Sequence, residues 1–181
     1  RFQVVEQCLR ALIRIEPGDG YYYFRLALIL KANALTAEEA TRCLQQCINM
    51  GYQVKESYYH IGCIAQVSLN KRDLARNAFL QALEIDSSYV DARLGLANLY
   101  CENNHIEAAI ELLQALMSNG AEDAEMYKLL GISLLKLGRH RECLEFMRQA
   151  TLAAPDNAEL FSTYLFVATY TNQLSPQEWL A

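Results

Sequence analysis

Three apolar columns recur through this chain at a stride of 34 or 35 residues, and that stride constrains the fold more than any other feature. Ala75, Phe79 and Ala82 return 34 residues later as Ala109, Leu113 and Leu116, and again as Cys143, Met147 and Ala150. Ala40, Leu44 and Cys47 lie 35 residues before the first set. A second column, Pro17, Tyr52, Ser87, Ala121 and Pro155, marks the end of each unit. A third, Phe24, Tyr58, Arg93, Tyr127 and Phe161, marks the first half. A period of this length is the signature of a repeat architecture, in which neighbouring units stack to bury faces that none can bury alone.

Within a unit the spacing is helical. In AEMYKLLGISLLKL (124–137) apolar residues fall at Tyr127, Leu130, Leu134 and Leu137, the three-to-four spacing of an amphipathic helix. Gly138 then breaks the pattern and suits a turn with positive φ between two antiparallel helices. A second apolar-periodic segment runs from Cys143 to Pro155. Thr36 and Asp73 are expected as helix N-caps. No window alternates with period two, so strands are not expected. Gly62, Ala97 and Gly131 on first helices face Ala40, Ala75 and Ala109 on second helices. Small residues there let two helix axes approach to ~8–10 Å.

These columns resemble the tetratricopeptide repeat, with 124–157 the best match through Tyr127, Leu130, Gly131, Gly138, Ala150 and Pro155. The unit 55–89 fits through Tyr58, Ile61, Gly62, Ala65, Ala75, Phe79 and Ala82. The unit 90–123 keeps Ala97, Tyr100, Ala109 and Gly120 but has Arg93 at the aromatic place, and 20–54 departs most, with Leu28 at the small place. The expected organisation is a single array over 1–181: the second helix of a truncated repeat (1–19), four repeats (20–54, 55–89, 90–123, 124–157) and a partial repeat (158–181). The resemblance implies an all-α fold, a right-handed superhelix (α-solenoid) of antiparallel helix pairs. Its concave groove, lined mainly by first helices, would hold a peptide or protein segment, making the chain a non-catalytic scaffold.

Three rows are expected to face that groove. One holds Tyr22, Glu56, Asp91, Glu125 and Glu159; a second Arg25, Tyr59, Leu94, Lys128 and Ser162; a third Ile29, Cys63, Asn98, Ile132 and Phe166. The carboxylates of the first row would steer a basic partner, although an acid near a helix start also suits the helix dipole. The carboxylate clamp that one tetratricopeptide subclass uses for chaperone tails is not matched, since Asp91 and Gly95 stand where basic groups belong. The asparagine ladder of another subclass is absent from Leu26, His60, Gly95, Leu129 and Thr163. The C-terminal segment resembles the junction of O-linked GlcNAc transferase-like proteins through Ser162, Leu165, Phe166, Tyr170, Leu174, Ser175, Pro176 and Glu178. That likeness implies an alternative role, the substrate-selecting arm of a glycosyltransferase.

Composition excludes several other classes. Hydrophobic residues make up 52% of the chain, too many for a disordered segment. The formal charge is −5, so a phosphate-backbone partner is not expected, and no apolar run approaches the ~20 residues of a membrane helix. The chain starts at Arg1 and stops after EWLA; both ends read as cuts in a longer protein. Six dispersed cysteines at apolar positions read as free thiols in the cytoplasm. Cys43, Cys47, His60 and Cys63 are of the residue types that make a tetrahedral zinc set, but Cys47 occupies a core column, so no metal and no cofactor is expected. No G-x-S-x-G, H-E-x-x-H or phosphate-binding loop occurs, so no catalytic residue is assigned. Phe2, Val5 and Leu9 at one end, and Phe161, Leu165 and Trp179 at the other, are expected as exposed apolar contacts that favour self-association.

Overall fold

The computed structural model of the protein describes residues 2–120 and 122–170. Ten α-helices follow one another: α1 (Phe2–Ile15), α2 (Gly20–Leu30), α3 (Ala37–Asn49), α4 (Val54–Val67), α5 (Arg72–Ile85), α6 (Val90–Glu102), α7 (Ile106–Ser118), α8 (Ala124–Lys136), α9 (His140–Ala153) and α10 (Ala158–Tyr170). A 3-10 turn, Ala34–Thr36, leads into α3. Among the described residues there is no strand. The chain divides into two compact units, residues 1–99 and 100–181, with the division inside α6. In the first unit each of α1 to α4 packs on the helix that follows it; in the second, α7 packs on α8, α8 on α9 and α9 on α10.

The turns show why the chain reverses where it does. Asn70, Asn104 and Gly138 take positive φ (49°, 62° and 72°), and they stand 34 residues apart in sequence. The left-handed region is open to glycine and, among side-chain-bearing residues, favoured by asparagine. Gly138 was expected there; the two asparagines do the same work with a side chain. Helix starts are capped by carboxylates and amides. Asp19 Oδ1 accepts from Tyr21 N at 2.8 Å. Asp123 Oδ1 accepts from Glu125 N and Met126 N at 2.9 and 3.0 Å. Asn157 Oδ1 accepts from Glu159 N and Leu160 N at 3.1 and 3.3 Å.

Two capping expectations need correction. Thr36 stands at the N-cap of α3 but caps nothing with its side chain. Its hydroxyl donates backward instead, to the Leu30 carbonyl at 2.6 Å and to that of Asn33 at 3.1 Å, pinning the end of α2. Asp73 lies inside the first turn of α5, whose cap position is Lys71. There it complements the positive end of the helix dipole.

All twelve residues of the recurring core columns are buried, each at 2% exposure or less. Leu9, Leu26, Leu30, Leu44, Ile61 and Ile64 gather in one cluster of the first unit, with Ile13, Phe24 and Ile48 against it. Leu9 is therefore not an exposed terminal contact as expected: α1 turns it inward onto α2. Val5 and Phe161, at 47% and 53%, are exposed. Trp179, Leu174, Ser175, Pro176, Glu178, Ala121 and the side chains of Phe2 and Tyr170 lie outside the described residues. Among the described residues no helix is long and apolar enough to cross a membrane.

Close approach of paired helices depends on the small residues. A Cβ built on Gly62 would stand 2.5 Å from Phe79 Cε1, and one on Gly95 would stand 2.6 Å from the same atom. In the second unit a Cβ on Gly131 would meet Met147 Cε at 2.6 Å. Real Cβ atoms do not tolerate such distances; against the rigid Phe79 ring this makes glycine a packing requirement, whereas the flexible end of Met147 can shift.

Candidate functional site

In the first unit the expected rows are carried by α2, α4 and α6. Tyr22 and Arg25 are on α2, Glu56 and Tyr59 on α4, Asp91 and Asn98 on α6. In the second unit Glu125 and Lys128 are on α8 and Glu159 on α10. The row of four carboxylates and Tyr22 is thus shared between two units, and each part has its own surroundings.

Aromatic contacts dominate the first unit's part. Phe24 of α2 meets the His60 ring at a centroid distance of 5.7 Å. His60 meets Tyr59 at 5.1 Å, and Tyr59 meets Tyr89, just before α6, edge-on at 5.7 Å. Tyr59 also reaches down to the buried Phe79 at 6.1 Å. The run therefore passes over successive elements: α2, α4 and the entry to α6. Chain adjacency explains part of it, because Tyr59 and His60 are consecutive in α4. All four residues of the run are half-buried.

Charges sit at both ends. Lys31 Nζ lies 3.3 Å from His60 Nδ1. Burial pulls the His60 imidazole down to about 4, and the Lys31 charge adds to this, so His60 is neutral and offers Nδ1 as acceptor. At the other end Lys55 Nζ donates to Asp86 Oδ2 at 2.6 Å and stands 5.1 Å from the centroid of the Tyr89 ring. Hydrogen bonds from Lys55 and Ser88 hold the Asp86 carboxyl down to about 2. Burial, then the Asp91 and Glu56 charges, push the Tyr89 hydroxyl well above its ordinary range. Tyr59 is raised the same way, by burial first and then by Cys63, with Asp91 a smaller contribution.

Other expected residues are engaged locally. The Tyr22 hydroxyl donates to Glu16 Oε2 at 3.3 Å, and its ring meets Tyr21 edge-on at 5.7 Å. Arg25 and Glu159 are exposed, and Asn98 is half-buried. Lys128 Nζ lies 2.7 Å from Glu125 Oε2 within α8, so these two form a pair rather than two independent charges. Phe166 of α10 is 65% exposed.

Among the four zinc candidates, His60 belongs to the aromatic run and two cysteines lie in the core. Cys43 and Cys47 are buried in α3, and Cys47 Sγ donates to the Gly20 carbonyl at 3.5 Å. Burial lifts the Cys47 thiol to about 11, which disfavours the thiolate a metal needs. Among the described residues no three His, Cys, Asp or Glu side chains are gathered to hold one ion.

Sequence spacing missed Tyr89, Lys55, Asp86 and Lys31. Tyr89 and Lys55 stand 34 residues apart, each at or before the start of a first helix, where a helix-face reading loses its register. The stride itself was the signal that would have paired them.

A tetratricopeptide repeat family model matches residues 67–133 and a second matches 124–157. The chain is 35% identical over 89 residues to "Protein O-mannosyl-transferase TMTC3" of Mus musculus and 34% identical to that of Homo sapiens. Each match takes in 49% of this chain but 10% of the relative, so the chain spans about a tenth of these proteins. Among solved structures, MamA is similar with a TM-score of 0.71 at 17% identity, over 87% of this chain and 91% of that one. YrrB, described as a TPR protein with an unusual peptide-binding site, is similar with a TM-score of 0.66 at 14% identity, over 96% and 84%. At such identities the likeness is one of fold. The chain belongs to the tetratricopeptide repeat family, whose two models between them take in half of its residues.

Proposed function

We propose that this chain is a non-catalytic scaffold that binds a protein or peptide segment along the face presented by its first helices, the face expected to line a concave groove. The observation that carries this is the half-buried aromatic run Phe24, His60, Tyr59 and Tyr89 across successive elements of the first unit. Aromatic anchors of this kind supply most of the affinity in peptide recognition. In the second unit the exposed Phe166, with Lys128 and Glu125 on α8, belongs to the same rows. The test is selection from a displayed peptide library, followed by substitution. Tyr59→Leu, Lys128→Glu or Glu125→Lys should weaken selected peptides at least tenfold, while Gln45→Ala and Arg148→Ala on second helices leave them unchanged. Failure to enrich any peptide, or sensitivity only to the second-helix changes, overturns the reading.

The alternative is that the array selects acceptor proteins for a glycosyltransferase. The identity to proteins named O-mannosyl-transferases favours it. Reading the coding sequence on both sides of residues 1–181 decides this: absence of any glycosyltransferase region overturns it.

Self-association is also proposed, through α1. Val5, Cys8, Leu12 and Ile15 fall on one exposed stripe of that helix, and they are spaced symmetrically about position 10, as an antiparallel pairing with a second copy requires. Sedimentation at rising concentration should show a dimer that Leu12→Glu abolishes; a monomer throughout overturns it. A reducing location, the cytoplasm, is proposed from six unpaired cysteines, four of them buried. Thiol titration of protein purified without reductant tests it: six free thiols after denaturation are expected, and fewer would count against it.

A further inference from the structure

The surface where α4 begins and α6 begins is acidic and aromatic at once. Lys55 lies over the Tyr89 ring at 5.1 Å, and Tyr59, one turn on from Lys55, sets its ring against Tyr89 at 5.7 Å and 70°. Glu56 follows Lys55 in the same turn of α4, and Asp91 lies two residues beyond Tyr89 in the first turn of α6. Of the two cations near this corner, Lys55 is matched by Asp86 at 2.6 Å, and Arg93 turns its guanidinium away onto the Ser87 carbonyl at 2.6 Å. The remaining charges, Glu56 and Asp91, are both negative, and Asp91 is exposed.

One of the two tyrosines already shows what such a ring attracts. The negative face of an aromatic ring draws a cation, and Tyr89 holds one from its own chain. A partner's alkylammonium or guanidinium reaching this corner would meet two ring systems and two carboxylates without having to break the Lys55–Asp86 pair. An acidic side chain would be repelled there. At the other end of the aromatic run a cation, Lys31, stands beside His60.

We infer that the corner formed by Glu56, Tyr59, Tyr89 and Asp91 is a subsite for a Lys or Arg side chain of the bound segment. This rests on the peptide-scaffold reading and names the chemistry of its partner. The experiment titrates the full chain, with ring-labelled tyrosine, against acetyl-lysine methylamide and acetyl-arginine methylamide. The norleucine and glutamate analogues serve as controls, and resonances are followed by NMR. The basic probes should move the Tyr59 and Tyr89 ring signals saturably, at least threefold more tightly than norleucine. Glutamate should move neither. The double substitution E56Q/D91N should weaken the basic probes at least threefold, with the helical circular dichroism unchanged. Equal response to norleucine, no response at Tyr59 and Tyr89, or indifference to E56Q/D91N overturns the inference. If library-selected peptides bind through Tyr59 yet carry no basic residue, the subsite fails while the scaffold stands. If basic probes bind as stated and no peptide is ever enriched, the scaffold fails while the subsite stands.

Discussion

Phe79 is fully buried between Gly62 of α4 and Gly95 of α6, and its ring leaves no room for a methyl on either. Gly62→Ala ought to gain ~1 kcal/mol from helix propensity. The added Cβ, at 2.5 Å from the ring, instead forces the kind of core displacement that costs about 1–3 kcal/mol. The expected result in urea unfolding is a net loss for Gly62→Ala, partly restored by combining it with Phe79→Leu. Additive losses would show that the two residues are not in contact. His60 gives a second prediction. An unfolded imidazole takes a proton near pH ~6.5, whereas the folded one waits until about 4. Between those values the unfolded chain binds more protons, so stability is whole above pH ~6.5 and falls as pH drops toward 4. His60 is half-buried, with Lys31, Phe24 and Tyr59 against it. Solvent screening therefore limits the effect to about 1–2 kcal/mol. Unfolding midpoints at pH 7 and pH 5 should differ by that amount in the natural chain and by clearly less in His60→Gln.

At the scale of helices, α1 is held by its buried Leu9, its half-buried Ile13 and one polar latch. Arg10 forks onto Glu39 of α3 with hydrogen bonds of 2.5 and 3.0 Å, while its Nε donates to Glu6 at 3.1 Å. The guanidinium keeps the Glu39 carboxyl below the usual carboxylate range. Both side chains are about a third exposed, so the latch contributes only about 0.5–1 kcal/mol. Glu39→Gln should scarcely change global unfolding yet speed hydrogen exchange in α1, the least covered helix of its unit; unchanged exchange would show that apolar packing alone seats α1. The cap of α8 is worth more. Asp123→Ala removes two acceptor bonds and should cost about 0.5–2 kcal/mol, read by the same unfolding assay. The helices were legible in the sequence because their burial follows the stride: Ala75, Phe79 and Ala82 and their counterparts are all core. The caps were less so: Thr36 holds the cap position but turns its hydroxyl back to α2, and Asp73 lies two residues past the cap of α5. The site was least legible. Rows on an ideal helix put Glu125 and Lys128 on separate lines, but flexible charged side chains three residues apart reach each other. Tyr89 lies before its helix, where no helical row exists.

For the molecule as a whole, two units with their own buried clusters mean that stability is local. In repeat proteins energy is approximately a sum over units and their nearest neighbours. Met147→Ala, which empties a fully buried position against Gly131, should cost about 2–5 kcal/mol and accelerate exchange first in α8 and α9. Protection of α2 to α5 should persist; simultaneous loss in both units would show one cooperative block. The glycine–phenylalanine wedge has a last consequence, for ancestry. A tandem copy inserted after α5 would bring a new ring whose neighbour must lack a side chain on both flanks. Units that carry Leu44 or Leu113 in the same column escape that demand, with Leu28, His60, Ala97 and Leu129 at the matching places. A lineage can therefore multiply those units freely, but can copy the phenylalanine unit only together with both of its bare neighbours.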